Sequence, residues 1–361
     1  MTLFSPVKLF AFAAFIVLAL VGFGFYLAAR QGWKRNGYFR LPAVVLIVLG
    51  LFITFQALGN GITMATIGIH IEGHPVIALT INGLAEIAIM LVGTVLISHA
   101  SRQNLLAVFR LEGLRETPAL PYVLALPIIL VAQAAGSALS AIWERGWKYF
   151  PDLFHAVNQY ESASDTAMQG LVTATGPLDL ALILLFVAIV PALAEETLFR
   201  GFAQSNIERS GRWHARPVTA LVTASFLFAL VHASLFKLPG LFALGMVLGW
   251  MTYRTNNLFV GAIGHAINNG FIVAVLYLNP NLSNSASTSL VGTEELSATD
   301  ALRMLALIIP LLGLLLYFFA RVTAALQARG NAEREIQSEL WQTGPSDRAL
   351  PPSFHTNEPY E

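Results

Sequence analysis

The sequence predicts an all-α, polytopic membrane helix bundle with about nine transmembrane helices, or eight at the fewest. Hydrophobic residues make up 56% of the 361 residues and charged residues only 12%, whereas a soluble domain carries about 25% charged residues. The apolar residues also form runs of about 20, the length that a helix needs to cross the hydrocarbon core of a bilayer. We therefore expect a multi-pass protein of the cell membrane, with the lipid bilayer as a partner.

Charge and cysteine content exclude several classes of function. The 21 Lys and Arg residues balance the 21 Asp and Glu residues, and binding to nucleic acid needs a basic excess. The chain has no cysteine, which excludes disulfides, thiolate metal ligands and cysteine nucleophiles. Any chemistry must come from carboxylates, imidazoles, amides and hydroxyls.

Apolar runs define the predicted spans. In chain order they are 9–29, 41–69, 76–100, 119–143, 177–208, 217–235, 239–253, 257–278 and 302–326. The first has no charge in 21 residues, longer than the about 7 to 15 apolar residues of a signal-peptide core, so we interpret it as an anchor. The short run 239–253 contains Gly245 and Gly249, a spacing that lets two helix backbones approach closely.

The spans group into five regions. These are 1–176, N-terminal membrane helices with an outer loop and no motif; 177–278, a core with every motif described below; 279–301, a flexible loop rich in Ser and Asn; 302–328, the last membrane helix; and 329–361, a polar tail expected to be disordered. One set of helix ends and loops holds 15 basic residues and the other holds 5. This asymmetry predicts a cytoplasmic C-terminus.

Ionisable side chains inside the spans need an explanation, since each costs at least about 2.5 kcal/mol at the bilayer centre. One helix carries Glu195, Glu196 and Arg200. Glu196 and Arg200 are four residues apart, with the acid first, which favours an ion pair within the helix. Glu195 points about 100° away round the helix and has no local partner. A lone acid, Glu86, lies in another span, and we expect it to pair with an Arg or His across the bundle.

Two further helices carry the remaining candidates. Phe228 lies one turn before His232 and is expected to pack beneath its ring. His265 and Asn269 are also one turn apart and share a face, whereas Asn268 lies off that face and is expected to bond a neighbouring helix. Distances along the helices place Glu195, His232 and His265 at similar depths. We therefore expect these three side chains to meet around a single water molecule.

Three motifs on successive helices carry a resemblance. They are Glu-Glu-x-x-x-Arg, Phe-x-x-x-His and His-x-x-x-Asn, and the stretch 242–259 between the last two also matches. Together they resemble the CAAX prenyl endopeptidase and bacteriocin-processing (CPBP, or ABI) family of intramembrane proteases, over about residues 180–275. The resemblance implies a glutamic intramembrane endopeptidase core at 177–278 that hydrolyses a membrane-associated peptide or protein without a metal.

The resemblance also assigns roles to residues. It implies that Glu195 and His232 activate a water, while His265 and Asn269 donate hydrogen bonds to the oxyanion of the tetrahedral intermediate. Glu196 and Arg200 are implied to be the supporting pair, with Phe228 supporting His232 by packing.

Three alternatives remain open at this point. Glu195, His232 and His265 are also a plausible ligand set for zinc, with a water in the fourth position, although the resemblance favours no cofactor. Intramembrane Glu and His also serve as proton relays, so the chain could be a proton-coupled transporter. The family also includes non-catalytic members, such as membrane scaffolds and bacteriocin-immunity proteins.

Overall fold

A computed structural model of the chain describes residues 34–35, 37–67, 75–172, 176–210, 216–278 and 297–342. The predicted span 9–29 and the end of the predicted tail, 343–361, lie outside these residues. Residues 279–296, which form most of the predicted flexible loop at 279–301, also lie outside them.

The described chain begins with a short hairpin, in which β1 (Lys34–Arg35) pairs antiparallel with β2 (Tyr38–Phe39). Gly37 makes the turn at a φ of 78°, which glycine adopts without steric cost. The helices that follow are α1 (Leu41–Ile67), α2 (Pro75–Ala100), α3 (Leu105–Val108), α4 (Ala119–Trp147), α5 (Pro151–Leu171), α6 (Pro177–Arg209), α7 (Arg216–Val231), α8 (Leu238–Thr255), α9 (Leu258–Leu278), α10 (Ala298–Val322) and α11 (Ala324–Gln342). A 3-10 turn, Glu112–Leu114, lies between α3 and α4.

Six of the described helices are long and apolar enough to cross a membrane, namely α1, α2, α4, α6, α9 and α10. The chain is therefore a multi-pass helical membrane protein, but the predicted count of nine spans is not supported. The predicted span 217–235 is the shorter helix α7, which ends at Val231, and 239–253 is the 18-residue helix α8.

Contacts between helix ends and loops define two ends of the bundle. At the first, which we call the hairpin end, the N–H of Phe39 donates to Asn206 Oδ1 over 2.8 Å. At the opposite end, which we call the α5 end, Lys237 pairs with Asp165 of α5. A cytoplasmic C-terminus stays a prediction.

The prediction of a disordered tail from residue 329 is wrong for 329–342, because these residues belong to helix α11. Arg334 of this helix is buried and its Nε lies 3.0 Å from Glu208 Oε1. Arg110 pairs with the other oxygen of the same carboxylate over 2.6 Å. These buried ion pairs hold a polar helix against the bundle. The predicted outer loop likewise contains a helix, α5.

Helix α6 alternates between two kinds of helix. π-helical segments at Leu184–Ile189 and Thr197–Gln204 flank the α-helical stretch Val190–Glu196. Pro191 lies in that stretch and has no N–H to donate to the carbonyl of Val187, four residues earlier. Helix α2 contains a similar π segment, Ile87–Val92, between Pro75–Glu86 and Gly93–Ala100. Single π turns occur often at functional sites, and here one of them directly follows Glu196.

Helices α7 and α8 pack closely behind α6. A Cβ added at Gly245 would lie 3.1 Å from Ser225 Cβ, and one at Gly249 would lie 2.6 Å from Leu221 Cδ1. The close backbone approach predicted from this glycine spacing is confirmed at Gly245, where Ser225 Cα would lie 3.2 Å from the added Cβ, whereas side chains fill the space at Gly249. Helix α8 ends at Thr255, and the residue after it, Asn256, has a left-handed backbone with a φ of 47°, from which the chain turns directly into α9. This packing brings α6, α7 and α9 together around the predicted site residues.

Candidate active site

A closed cluster of three buried side chains joins α6 to α9. Arg200 Nη1 donates to Glu196 Oε1 over 2.6 Å, so the ion pair predicted within the helix is present. His265 Nδ1 lies 3.0 Å from the same oxygen, and the three side chains are at most 2% exposed. Arg200 Nη2 also donates to the carbonyl of Gly245 over 3.1 Å. His265 therefore pairs with Glu196, and not with Glu195 as expected.

The hydrogen bond to Glu196 determines which nitrogen of His265 carries a proton. A carboxylate accepts hydrogen bonds, so Nδ1 must be the protonated nitrogen. In the neutral imidazole, Nε2 then has a lone pair and no proton to donate. Glu196 already offsets the charge of Arg200, which disfavours a second buried cation beside it. His265 is consequently better suited to fix the position of Glu196 than to donate to an oxyanion.

The neighbouring acid, Glu195, forms an open pair with His232. The distance from His232 Nε2 to Glu195 Oε2 is 3.9 Å, and the two side chains are 29% and 17% exposed. This distance is too long for a direct hydrogen bond. Glu195 Oε2 is buried and accepts no hydrogen bond from the described residues. Glu196 Oε2 likewise accepts no hydrogen bond from these residues, so Glu195 is distinguished by its partly exposed side chain and by the Nε2 of His232 that it faces.

The backbone of α7 orients the imidazole of His232. Nδ1 lies 2.7 Å from the carbonyl oxygen of Phe228, one turn earlier. A carbonyl can only accept, so Nδ1 carries the proton and Nε2 keeps its lone pair. The Nε2 that faces Glu195 is therefore a base in the neutral ring.

Phe228 lies between the open pair and the closed cluster. Its ring centroid is 4.7 Å from that of His232 and 5.5 Å from that of His265. The guanidinium carbon of Arg200 lies 4.5 Å from the same centroid, a cation–π contact. The predicted packing of Phe228 against His232 is confirmed, and the structure adds the contacts to Arg200 and His265.

Asn269 bonds a neighbouring helix, the role expected of Asn268. Its Nδ2 donates to the carbonyl of Val187 in α6 over 3.1 Å, the carbonyl that Pro191 cannot serve. Asn268 instead donates to Asn269 Oδ1 over 3.0 Å. One N–H of the Asn269 amide is left for another acceptor.

The alternative zinc set does not converge. Within the described part of the chain, no group of three or more His or acidic side chains could hold a metal ion. The reason is local, because His265 is held by Glu196 on the buried side of α6 while His232 faces Glu195.

Two further buried acids, Glu86 and Glu161, lie outside the predicted set. Glu86 is buried at 5% exposure, and the Arg or His partner expected for it is not found among the ion pairs of the described residues. Glu161 of α5 accepts hydrogen bonds from the loop that follows His232. The sequence signal for Glu161 was weak, namely one acid in the stripe of inward-facing positions 154, 157, 161 and 165 on an amphipathic helix.

Comparison with known proteins matches the part of the chain that holds this site. Residues 177–271 match the family model described as type II CAAX prenyl endopeptidase Rce1-like. A 104-residue stretch is 31% identical to the membrane-embedded CAAX protease MroQ of Staphylococcus aureus (strain USA300). This stretch covers 28% of the chain and 42% of that protein, so the chain spans less than half the length of the relative. No solved structure matches.

Proposed function

We propose that this chain, which belongs to the CPBP family through its match over residues 177–271, is an intramembrane endopeptidase. Its substrate is a membrane-associated peptide or protein. The observation that carries the proposal is the open pair, in which the unpartnered Oε2 of Glu195 faces the lone pair on His232 Nε2 at 3.9 Å.

Both atoms of the open pair accept hydrogen bonds, which defines what a water between them would do. A water about 2.8 Å from each would donate one O–H to Glu195 and the other to His232. Its lone pair would then face away from both, toward the carbonyl carbon of a peptide. As the oxygen attacks, Glu195 takes one proton, and that proton can pass to the leaving amine when the C–N bond breaks.

The closed cluster supports this chemistry from behind. Glu196, Arg200 and His265 tie α6 to α8 and α9, and so hold the backbone that carries Glu195. For the oxyanion we assign the free N–H of Asn269 in preference to His265, whose bond to Glu196 leaves Nε2 without a proton when the ring is neutral. We assign no metal to the reaction, since the three donors of the zinc alternative are divided between the two groups.

The proposal is tested with the full chain reconstituted in lipid nanodiscs and a library of membrane peptides, read by mass spectrometry. Cleavage is expected with the wild type, unchanged by a chelator, and absent in Glu195→Ala and in His232→Ala. Cleavage that persists in Glu195→Ala would contradict the mechanism in which Glu195 is the base. Cleavage that is lost only with the chelator would favour the alternative of a zinc enzyme. If the wild type cleaves no peptide, the protease proposal fails, and the two alternatives are a non-catalytic scaffold and a proton-coupled transporter.

The oxyanion assignment has a test of its own. Asn269→Ala is expected to lower kcat by about 10²-fold, a loss typical of one oxyanion donor. His265→Asn, which keeps an N–H for Glu196, is expected to retain more activity than Asn269→Ala. The opposite order would give the oxyanion role to His265.

A further inference from the structure

We propose that Glu161 of α5 is a positioning residue for His232, because it holds the loop at 233–237 and so sets the imidazole opposite Glu195. The inference rests on the proposed function. It extends that function to a helix outside the region that matches the family model, which begins at residue 177.

Glu161 is a buried acid on a helix that is otherwise largely exposed. The residue is 6% exposed, and both carboxylate oxygens accept hydrogen bonds from the loop after His232. Ser234 Oγ donates to Oε2 over 2.5 Å, and the backbone N–H of Phe236 donates to Oε1 over 3.0 Å. One side chain thus fixes two points of the loop, within four residues of His232.

Neighbouring contacts from α4 and α5 hold the same loop. The rings of Phe154 and Phe236 stack with centroids 5.4 Å apart. The indole N–H of Trp143 donates to the carbonyl of Leu235 over 2.9 Å, and Lys237 pairs with Asp165. Glu161 is the buried member of this set, and it is the one that satisfies a buried backbone N–H.

The loop needs such anchors because of its backbone. Helix α7 ends at Val231, so His232 has no helical turn after it. Ala233 follows with a φ of 52°, a left-handed conformation that costs a residue with a side chain about 1 to 2 kcal/mol. The bond to the Phe228 carbonyl orients the ring from the helix side. Glu161 fixes the chain on the other side, and together the two contacts determine where Nε2 lies.

Two substitutions at position 161 distinguish the effect of its hydrogen bonds to the loop from the effect of its negative charge. Glu161→Ala removes both hydrogen bonds and leaves the Phe236 N–H buried without an acceptor. Glu161→Gln keeps an oxygen for Phe236, and its amide can donate to Ser234, whose hydroxyl rotates to accept. A positioning role therefore predicts that Gln rescues what Ala loses.

The experiment uses the full chain in lipid nanodiscs. Cleavage of a peptide that the wild type hydrolyses gives kcat and KM, and diethyl pyrocarbonate modification followed by mass spectrometry gives the reaction rate of His232 relative to the exposed His99. Glu161→Ala is expected to lower kcat about ten- to hundredfold at unchanged KM, as for displacement of a catalytic group by about 1 Å. It should also raise the relative modification rate of His232. Glu161→Gln and the outward-facing control Gln159→Ala should match the wild type.

Several outcomes would overturn the inference. One is Glu161→Ala with wild-type kcat and an unchanged modification ratio, and another is Glu161→Gln as impaired as Glu161→Ala. If Glu161→Ala does not fold, Ser234→Ala removes one of the two bonds, and no change in either readout would count against the inference. If the wild type cleaves nothing, the proposed function fails on its own, while the modification ratio still tests the contact between α5 and the His232 loop.

Discussion

Two adjacent glutamates of α6 occupy opposite environments. Glu196 is fully buried, and one of its oxygens accepts from both Arg200 and His265. Glu195 is partly exposed, its Oε2 has no donor among the described residues, and its nearest basic group is 3.9 Å away. The two carboxylates differ by one position in the sequence, and by about 100° round the helix.

This difference separates a structural acid from a chemical one. A buried charge is tolerated only when it is paired and hydrogen-bonded, and Glu196 meets that requirement with Arg200 and His265. A general base must instead be within reach of the water whose proton it takes, and of the two acids only Glu195 has a partly exposed side chain. The first three predictions below each change one side of this comparison, and the fourth changes Phe228, whose ring contacts both sides.

The largest effect is expected from Glu195→Gln. The substitution keeps the shape of the side chain but removes the base, so kcat should fall by about 10²- to 10⁴-fold. The melting temperature should stay within experimental error, because Oε2 has no hydrogen bond to lose. Both are measured on the full chain in nanodiscs, by peptide cleavage and by thermal unfolding. Activity near that of the wild type would place the base elsewhere.

Glu196→Ala should act on stability. It leaves Arg200 buried without its carboxylate, and breaking a buried pair in this way costs about 3 to 5 kcal/mol. The free energy of unfolding is measured by denaturant titration in mixed micelles. The matched control is the double variant Glu196→Ala with Arg200→Met, which removes both charges and should recover most of the loss. Equal destabilisation of the single and double variants would contradict the pairing.

Gly261→Ala presses on the closed cluster from α9. The added Cβ would lie 2.3 Å from Thr252 Oγ1 and 2.9 Å from Glu196 Oε2, and overpacking of this kind costs about 1 to 3 kcal/mol. The control is Gly270→Ala on the same helix, where the nearest atoms are 3.7 Å away. Denaturant titration should give a lower free energy of unfolding for Gly261→Ala than for Gly270→Ala. Equal values would show that the closed cluster accommodates the added methyl group without cost.

Phe228→Leu should have the smallest effect. It removes the ring that lies 4.5 Å from the Arg200 guanidinium, a contact of about 0.5 to 2 kcal/mol, and it loosens the packing of His232. Phe226→Leu, at a position 47% exposed on the same helix, is the control. A loss of stability no greater in Phe228→Leu than in the control would remove Phe228 from the supporting set.

Contacts within one helix were predictable. The Glu196–Arg200 pair and the packing of Phe228 under His232 follow from a spacing of four residues, and each is present. The close backbone approach at Gly245 also follows, since the absence of a side chain allows it. In each case the residues that touch lie within one turn, or the residue type itself determines the contact.

The helix at 324–342 was missed because its polar composition was taken to indicate disorder. The polar tail from 329 was predicted to be disordered, yet 324–342 contains no proline and is rich in Ala, Gln, Glu and Arg, which favour helix. Its docking depends on Arg334 meeting Glu208, and that carboxylate also serves Arg110. Arg334 and Glu208 lie 126 residues apart in the sequence, and Arg110 and Glu208 lie 98 apart, and such separations hide partners.

The sequence by itself determined that the chain is a helical membrane protein and that its ionisable groups lie on three neighbouring helices, because hydropathy and helical spacing are local properties. Only the tertiary structure decided that His265 turns to Glu196, that Asn269 reaches the carbonyl that Pro191 cannot serve, and that α5 holds the loop after His232. These partners depend on how each helix is rotated about its own axis when it packs. If α6 were rotated about its axis by about 100°, the angle between successive residues, Glu195 would take the buried position of Glu196. Packing across the whole bundle determines this rotation.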